Sequence, residues 1–457
     1  MQIDMEKSLK QYIDLYNGNR EELDAHSAHV LNALRSDACA VLSDMTLPAA
    51  GSENYEVIDL PAMLGHDYGV NISRVSLPVN PAESFHCGVP RMSTALFMLV
   101  NDRFGRTRDS FTSLPEGVEV SGLADMARRH PEVVADYYGR IADMGNPVVA
   151  LSTLLAQDGL WIRIPRGVKV DQTLQLVEIL GGADNLMAVR RIVIVVEERA
   201  EARLLVCDHT VESARDMMSL QTIEVFAGEG SHFEMYDLEE SSATSRRLSS
   251  LWLRQERDSH VVLNGMTIYN GVSRNEYHCS FAAPGGSLQL FGMGIADKER
   301  IIDTYSYVSH DMPHCNTEEL FKFSVDDAAR CAFTGMVKVA TGAVGTEASQ
   351  SNRNLIGSDE ARMHSKPQLE IYNDDVKCSH GSATGRLDEM QLFYMRTRGL
   401  SEDEARLLLK QAFMSDVIDK VDVPGLRDRL THMVQRRFAG ESAGCHDCGS
   451  DCPTLRN

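Results

Sequence analysis

The stretch from residue 160 to 377 constrains the fold most, because it consists almost entirely of short strand-like segments. These segments alternate apolar and polar residues or form short apolar runs, as in TLQLVEIL, RRIVIVVEE, ARLLVCDH and QTIEVFAG. Clusters of turn-forming residues separate them, for example Gly181-Gly182 and Gly285-Gly286. So long a run of strands predicts a sandwich, a barrel or a β-solenoid. The region is longer than an immunoglobulin-type sandwich of about 100 residues, which favours one solenoid even though the sequence has no strict period.

Helical patterns flank the strand region on both sides. Residues 1–47 carry apolar side chains at three- and four-residue spacing. Beyond the strands, one helical segment stops at Gly399, and a second begins with Ser401 and Glu404 as a capping box. The sequence therefore predicts four regions: an N-terminal helical or mixed domain (1–159), a β-helix core (160–380), a C-terminal helical domain (381–440) and a cysteine-containing tail (441–457).

Charge and hydropathy limit the classes of partner. The 457 residues carry a formal net charge of −21, which would oppose binding to a phosphate backbone. No uninterrupted apolar run approaches the roughly 20 residues that cross a bilayer, and the first residues lack the pattern of a signal peptide. We expect a cytoplasmic protein that binds neither nucleic acid nor membrane. Its ten cysteines are then expected to be mostly reduced thiols or metal ligands.

Two familiar catalytic motifs are absent from the sequence. There is no GxxxxGK[ST] phosphate-binding loop and no HExxH. A β-helix enzyme that cleaves polysaccharides would need paired acids on one exposed strand face, and no convincing set is present. His310 and His314 could chelate a metal together with Cys315, but loop histidines with ordinary hydrogen bonds are more common. These patterns therefore give no positive indication of an enzyme.

The segment DDVKCSHGSATGRLDE, residues 374–389, contains the most suggestive side chains. In a strand, Val376, Cys378 and His380 point to the same face. The thiol and the imidazole could form a metal site, a nucleophile with its base, or part of a core. Free cysteine is among the most buried residue types, which favours packing for Cys378. His380, at the predicted end of the last strand, could ligate iron through a neutral nitrogen.

The tail contains a second possible metal site in the segment CHDCGSDC. Cys445, Cys448 and Cys452 offer three thiolates, and His446 could supply a fourth ligand for zinc or an iron–sulfur cluster. All-cysteine zinc sites more often use two separated pairs. A reduced tail without metal is the alternative.

Two long segments resemble a known family. HDMPHCNTEELFKFSVDDAARCAFTGMVKVATGAVGTEASQSNRNLIG and KPQLEIYNDDVKCSHGSATGRLDEMQLFYMRTRGLSEDEARLLLKQAF resemble the C-terminal core of the SufB/SufD family, the scaffold subunits of the SUF iron–sulfur cluster assembly machinery. The specific part covers residues 303–421. The resemblance implies a mainly β fold, with a right-handed parallel β-helix core between N-terminal and C-terminal α-helical domains.

The details of the resemblance point to the SufD branch of the family. In the SufB branch, a cysteine proposed to take part in cluster assembly precedes a P-x-(I/L)-E segment. The matching stretch SDEARMHSKPQLE has Ala361 near that place and no cysteine. The KCSHG form of the later motif and the N-terminal segment NYEVIDL also look like the SufD branch.

This resemblance implies a non-catalytic subunit that assists cluster assembly. A SufD-type chain pairs with a SufB-like subunit and carries a SufC-like ABC-type ATPase, which would supply the ATPase activity. By position, His380 matches the family histidine associated with a transient iron–sulfur cluster at the interface with SufB. Cys378 comes with the same motif, and its role stays open.

The two helical segments after the strands match the region that docks SufC in the family. We expect one apolar stripe to pack on the end of the β-helix, with the junction at Arg398 and Gly399 facing the ATPase. The chain could also form a homodimer when alone. A stand-alone structural β-helix protein and a carbohydrate-active β-helix enzyme are the alternatives. The predicted docking residues are Leu387, Phe393, Tyr394, Arg398, Gly399 and Phe413.

Overall fold

The structure, a computed structural model, describes residues 5–75, 94–106, 114–211 and 215–440. The predicted metal ligands Cys445, His446, Cys448 and Cys452 lie outside these residues. Helices occur before and after the strand region, as the sequence predicts. The helices are α1 (Met5–Ala25), α2 (His29–Asn32), α3 (Arg35–Asp44), α4 (Leu60–Leu64), α5 (Leu123–Arg129), α6 (Pro131–Ala135), α7 (Pro147–Leu155), α8 (Glu389–Thr397), α9 (Glu402–Ile418) and α10 (Pro424–Phe438).

Strands fill almost all of the predicted core. They are β1 (Gly69–Val70), β2 (Thr94–Val100), β3 (Arg103–Arg106), β4 (Glu119–Gly122), β5 (Gly159–Ile164), β6 (Thr173–Leu180), β7 (Leu186–Val196), β8 (Glu201–Thr210), β9 (Met217–Ala227), β10 (His232–Glu240), β11 (Ser245–Gln255), β12 (His260–Tyr269), β13 (Val272–Phe281), β14 (Ser287–Ala296), β15 (Ile301–His310), β16 (Asn316–Val325), β17 (Arg330–Val339), β18 (Thr346–Ile356), β19 (Arg362–Ile371) and β20 (Val376–Gly385).

These strands form a β-solenoid with two walls. From β5 onward, odd-numbered strands lie side by side in one sheet and even-numbered strands in the other. Neighbours in each sheet pair in parallel, so each turn of the chain adds one strand to each wall; Ile301 pairs with Arg330, and Asn316 with Glu347. The prediction of a parallel β-helix is confirmed. The even sheet also includes β2, so it extends into the region predicted as the N-terminal domain.

The space between the two sheets, the lumen, holds the largest hydrophobic core. Its apolar side chains come from both walls, among them Leu176, Ile194, Met235, Leu263, Phe321 and Phe333. Buried ion pairs interrupt this core: Arg190 lies 2.7 Å from Glu178, and Arg247 lies 2.5 Å from Asp237. Buried charges of this kind are tolerated because each has a partner of opposite sign.

The N-terminal helices pack on the outer face of the odd sheet, where Arg274 ties the two parts together. Its guanidinium lies 2.8 Å from Asp303 and 2.7 Å from Glu276, and it donates to the carbonyl oxygen of Asn54. It also lies 3.7 Å from the centroid of the Tyr55 ring. Burial alone would raise the pKa of Glu276, but Arg274 outweighs this effect and holds the pKa below its usual range.

The C-terminal helices α9 and α10 pack on the outer face of the even sheet. The prediction that they pack on the end of the β-helix is wrong, because the outer face of the even strands is itself apolar. Lys322, 2% exposed, adds a polar anchor: it donates to the carbonyl oxygen of Phe413 at 2.7 Å and pairs with Asp416. The apolar contact includes Tyr236, Met266, Phe291, Met414, Val417, Ile418 and Leu430.

The last strand is longer than the sequence suggested. Strand β20 continues through Gly385, so its predicted end at His380 is wrong. Residues 381–385 stay in register with β18, up to the pair of Leu355 and Gly385. The small residues of this segment do not disturb the parallel pairing, because backbone hydrogen bonds hold the strand.

We predict that Arg274→Met lowers the free energy of unfolding by about 3–5 kcal/mol, because it leaves Glu276 and Asp303 buried without a compensating charge. Urea denaturation of the full chain measures the change. Arg254→Met is the matched control, since Arg254 is half exposed and its ion-pair partner among the described residues is the exposed Glu256; it should change the free energy by about 1 kcal/mol or less. Equal losses in the two variants would contradict the anchoring role of Arg274.

Candidate functional site

The candidate site lies at the end of the solenoid formed by β19 and β20. Each of these strands is the last in its sheet. Every residue of β20 is exposed or only partly buried, in contrast to the buried strands of the interior. The outer edge of a terminal strand presents unpaired N–H and C=O groups that can pair with another chain. This part of the molecule, which we call the open end, is therefore suited to contact a partner.

Cys378 and His380 occupy the same face of β20, as the alternation predicts. Val376 and Cys378 pack against the lumen core, so this face is the inner one. Burial raises the pKa of the Cys378 thiol, although a backbone hydrogen bond at Ala348 opposes the shift. Cys378 is thus a neutral, half-buried thiol at neutral pH. His380 lies one step further along the same face and is exposed.

Polar side chains line the lumen next to these two residues. Ser365 Oγ lies 2.6 Å from Ser382 Oγ and donates to Asn352 Oδ1 at 2.6 Å. Asn354 Nδ2 donates to Thr384 Oγ1 at 3.0 Å. The open end is therefore hydrophilic although most of the lumen is apolar. The sequence analysis did not predict these residues. The signal was the segment QSNRN, residues 350–354, in which every second residue is an amide (Gln350, Asn352 and Asn354) and therefore lies on one strand face.

A carboxyl group lies deeper in the same part of the lumen. Glu319 is fully buried and accepts hydrogen bonds from Gln350 Nε2 at 2.5 Å and from Ser306 Oγ at 3.3 Å. Burial raises the pKa of Glu319 to about 7, against the opposing effect of these two hydrogen bonds. The group therefore titrates near neutral pH.

A second surface lies on α8 and α9 and contains several predicted docking residues. Phe393 is 64% exposed and Tyr394 57% exposed, while Leu392 holds α8 in place from its buried side. Met390 and Leu408 are also exposed. Met390, Phe393 and Tyr394 lie three and four positions apart on α8 and so share one face, and exposed apolar side chains grouped in this way mark an interaction site. We call the set Met390, Phe393, Tyr394 and Leu408 the helical patch.

The junction between α8 and α9 is well defined. Arg398 Nη2 donates to Tyr394 Oη at 2.8 Å. Gly399 has a φ of +95°, a conformation that side chains strongly disfavour, and this explains the glycine. The predicted capping box of Ser401 and Glu404 is confirmed.

Two predicted docking residues differ from the rest of the helical surface. Leu387 is half-buried just before α8. Phe413 is also half-buried, and its ring lies 4.4 Å from Lys322 Nζ between α9 and the even sheet. Phe413 therefore holds α9 on the solenoid and is not part of the helical patch.

No metal centre is evident in the residues that the structure describes. Among those residues, no three His, Cys, Asp or Glu side chains are placed together to hold an ion. His310 is buried, with Nε2 2.9 Å from Thr317 Oγ1, whereas His314 is exposed, so the chelate considered from the sequence does not form. None of the described helices is both long enough and apolar enough to cross a membrane.

Comparison with known protein families gives two matches that together span most of the chain. Residues 179–413 match the family described as "SUF system FeS cluster assembly, SufBD core domain". Residues 6–176 match the family described as "SufBD protein N-terminal region". The first match covers β-strands of the solenoid together with α8 and most of α9, so it includes both the open end and the helical patch.

Individual relatives agree with these matches. The chain is 27% identical to an iron–sulfur cluster assembly SufBD family protein of Synechocystis, over 88% of this chain and 90% of the relative. It is 28% identical to the iron–sulfur cluster assembly protein SufD of Escherichia coli, over 64% of this chain and 69% of the relative. A SufBD family protein of Mycobacterium tuberculosis is 34% identical over 42% of this chain and 54% of its own length.

We predict that Glu319 makes the protein less stable as the pH rises from 5 to 8. The pKa of Glu319 is raised from an unfolded-state value of about 4.3 to about 7, so the folded state binds more protons in this window and loses stability as they leave. Urea unfolding at each pH should show wild type losing roughly 3 kcal/mol more than Glu319→Gln across the window. Glu318→Gln, on the outer face of the same strand, should follow wild type. Parallel pH profiles for wild type and Glu319→Gln would contradict the prediction.

Proposed function

Because the chain belongs to the SufBD family of iron–sulfur cluster assembly proteins, we propose that it is the SufD-type subunit of an assembly complex, with a SufB-like subunit and a SufC-like ABC-type ATPase as partners. Membership of the family supports a role in iron–sulfur cluster assembly. The choice of the SufD branch is supported by the similarity to SufD of Escherichia coli and by Ala361 in place of a cysteine.

The open end is the proposed contact with the SufB-like subunit. The observation that carries this proposal is an exposed terminal strand, β20, with His380 on its inner face and an outer backbone edge that no other described strand pairs with. A strand of the partner can continue either sheet, because an edge offers backbone groups in register. The same edges would allow two copies of this chain to pair when no SufB-like subunit is present.

His380 is the proposed contact with the cluster under construction, which is the cargo of the complex. A neutral imidazole nitrogen is a good ligand for iron. His380 would hold iron at the subunit interface while sulfide arrives through the SufB-like subunit. Cys378 lies beneath it, packs against the lumen core and has a thiol pKa that burial raises, which favours support of the strand as its role.

The helical patch is the proposed docking surface for the ATPase. Its apolar side chains are exposed on α8 and α9, and Lys322 ties α9 to the wall of the solenoid. The chain contains no phosphate-binding loop of its own, which fits a division of labour in which the partner hydrolyses ATP. Movement of the docked ATPase would then shift this chain against the SufB-like subunit and expose the interface.

We expect His380→Ala to lower the iron and sulfide bound to the purified complex at least several-fold, because the variant removes the proposed iron ligand. The measurement is iron and acid-labile sulfide per complex after co-expression of all subunits. His364→Ala is the matched control, since His364 is exposed on the neighbouring strand β19 of the same turn. Full iron and sulfide content in an intact His380→Ala complex would contradict the proposed role of His380 as an iron ligand.

Replacing Phe393 by serine should weaken ATPase binding at least tenfold, because it removes a large exposed apolar contact from the centre of the helical patch. Titration of the purified chain with the SufC-like ATPase measures the dissociation constant. Tyr372→Ser, at a residue 58% exposed near the open end, is the control for the loss of a surface aromatic side chain. Similar affinities for the two variants would show that the ATPase docks elsewhere.

A further inference from the structure

Three residues form a column along one face of the lumen at the open end. Glu319 on β16 pairs in register with Gln350 on β18, and Gln350 pairs with His380 on β20. Neighbouring strands lie about 4.8 Å apart, so side chains at paired positions follow one another closely. The column leads from a fully buried carboxyl group to an exposed imidazole.

The hydrogen bonds at the inner end of the column have a defined direction. Gln350 Nε2 donates to Glu319 Oε2, and Ser306 Oγ donates to the same oxygen from the opposite sheet. An ionised carboxylate can only accept, so it turns the nitrogen of the Gln350 amide toward itself. The amide oxygen is then free to accept from another donor.

The side-chain amide oxygen of Gln350, Oε1, has no hydrogen-bond donor in the part of the chain that the structure describes. Gln350 is 2% exposed, and its Oε1 is buried without a hydrogen-bond partner. A buried acceptor without a donor is costly, so each such atom in a native protein calls for an explanation, such as a functional role or an ordered water. The next residue in the row of Gln350 is His380, whose ring N–H is a suitable donor.

The opposite wall of the lumen leaves room for this arrangement. Ser306, Gly335 and Pro367 follow one another in register on β15, β17 and β19. A Cβ atom at Gly335 would collide with Gln350 Nε2, so the glycine creates the space for the amide. Pro367 carries no side-chain donor, so this row offers Gln350 no alternative to His380 at the open end.

We propose that Glu319 and Gln350 are positioning residues for His380. Gln350 Oε1 accepts a hydrogen bond from one ring N–H of His380, which fixes the tautomer and keeps the other ring nitrogen unprotonated. The value of this arrangement rests on the proposed function, in which His380 holds iron. Histidines that bind metals usually donate their second ring N–H to a protein acceptor, which orients the ring and selects its tautomer.

The first test needs no substitution in the column. Long-range ¹H–¹⁵N NMR of the full chain at pH 8, above the ordinary titration range of imidazole, reports the tautomer of each histidine. His380→Ala assigns the signal. We expect one tautomer to dominate at His380, while exposed His364 shows the mixture of a hydrated imidazole. The same mixture at His380 as at His364 would overturn the proposal.

Two variants then identify the residues responsible. Gln350→Met removes the acceptor, and Glu319→Gln removes the charge that orients the amide. Each should lower the tautomer ratio of His380 by roughly threefold or more, the size of effect expected when one hydrogen bond is lost. Glu318→Gln, one position away on the outer face, should leave the ratio unchanged. An unchanged ratio in both column variants, or an equal change in Glu318→Gln, would overturn the proposal.

The tautomer and the cluster content answer different questions. If His380→Ala keeps its iron and sulfide while the tautomer responds to Gln350→Met, the role of His380 fails but the positioning by the column stands. If His380→Ala loses the cluster but the tautomer ratio of His380 is unchanged in both column variants, the positioning role of Glu319 and Gln350 is contradicted and the role of His380 stands.

Discussion

The in-register parallel pairing of successive turns is the constraint on which the rest of this structure depends. Each interior strand of the two walls pairs with the strand of the turn before and the turn after, and paired positions share a face. The side chains at paired positions on successive turns therefore form a row along the solenoid. The apolar lumen, the buried ion pairs and the column of Glu319, Gln350 and His380 all follow from this stacking.

Buried cations attach the helical parts to the two walls. Arg274 holds the segment at Tyr55 on the odd sheet, and Lys322 holds α9 on the even sheet. Both side chains are almost fully buried and both meet carboxylates. Burial of apolar surface stabilises the contact of the helices with each wall but is not directional. A buried cation, by contrast, must lie within reach of its carboxylate partner. The two cations thus fix where the helices sit.

The sequence predicted the solenoid, the flanking helices and the capping box at Ser401, because period-two alternation and cap chemistry are local signals. It predicted the wrong packing site for the C-terminal helices, since the apolar outer face of the even sheet appears only after the strands are stacked. It placed the end of β20 too early, because small residues suggest a turn when their pairing partner is unknown. The link between Glu319 and His380 joins positions far apart in the chain, and no local pattern could reveal it.

Strand β16 has different contacts on its two faces. Lys322 points outward and is tied to α9, while Glu319 points inward to the column that ends at His380. A force on α9 would act on β16 through Lys322, and β16 is also the strand that carries Glu319. A single strand of the solenoid wall thus connects the anchor of α9 at Lys322 to the row of side chains that ends at His380.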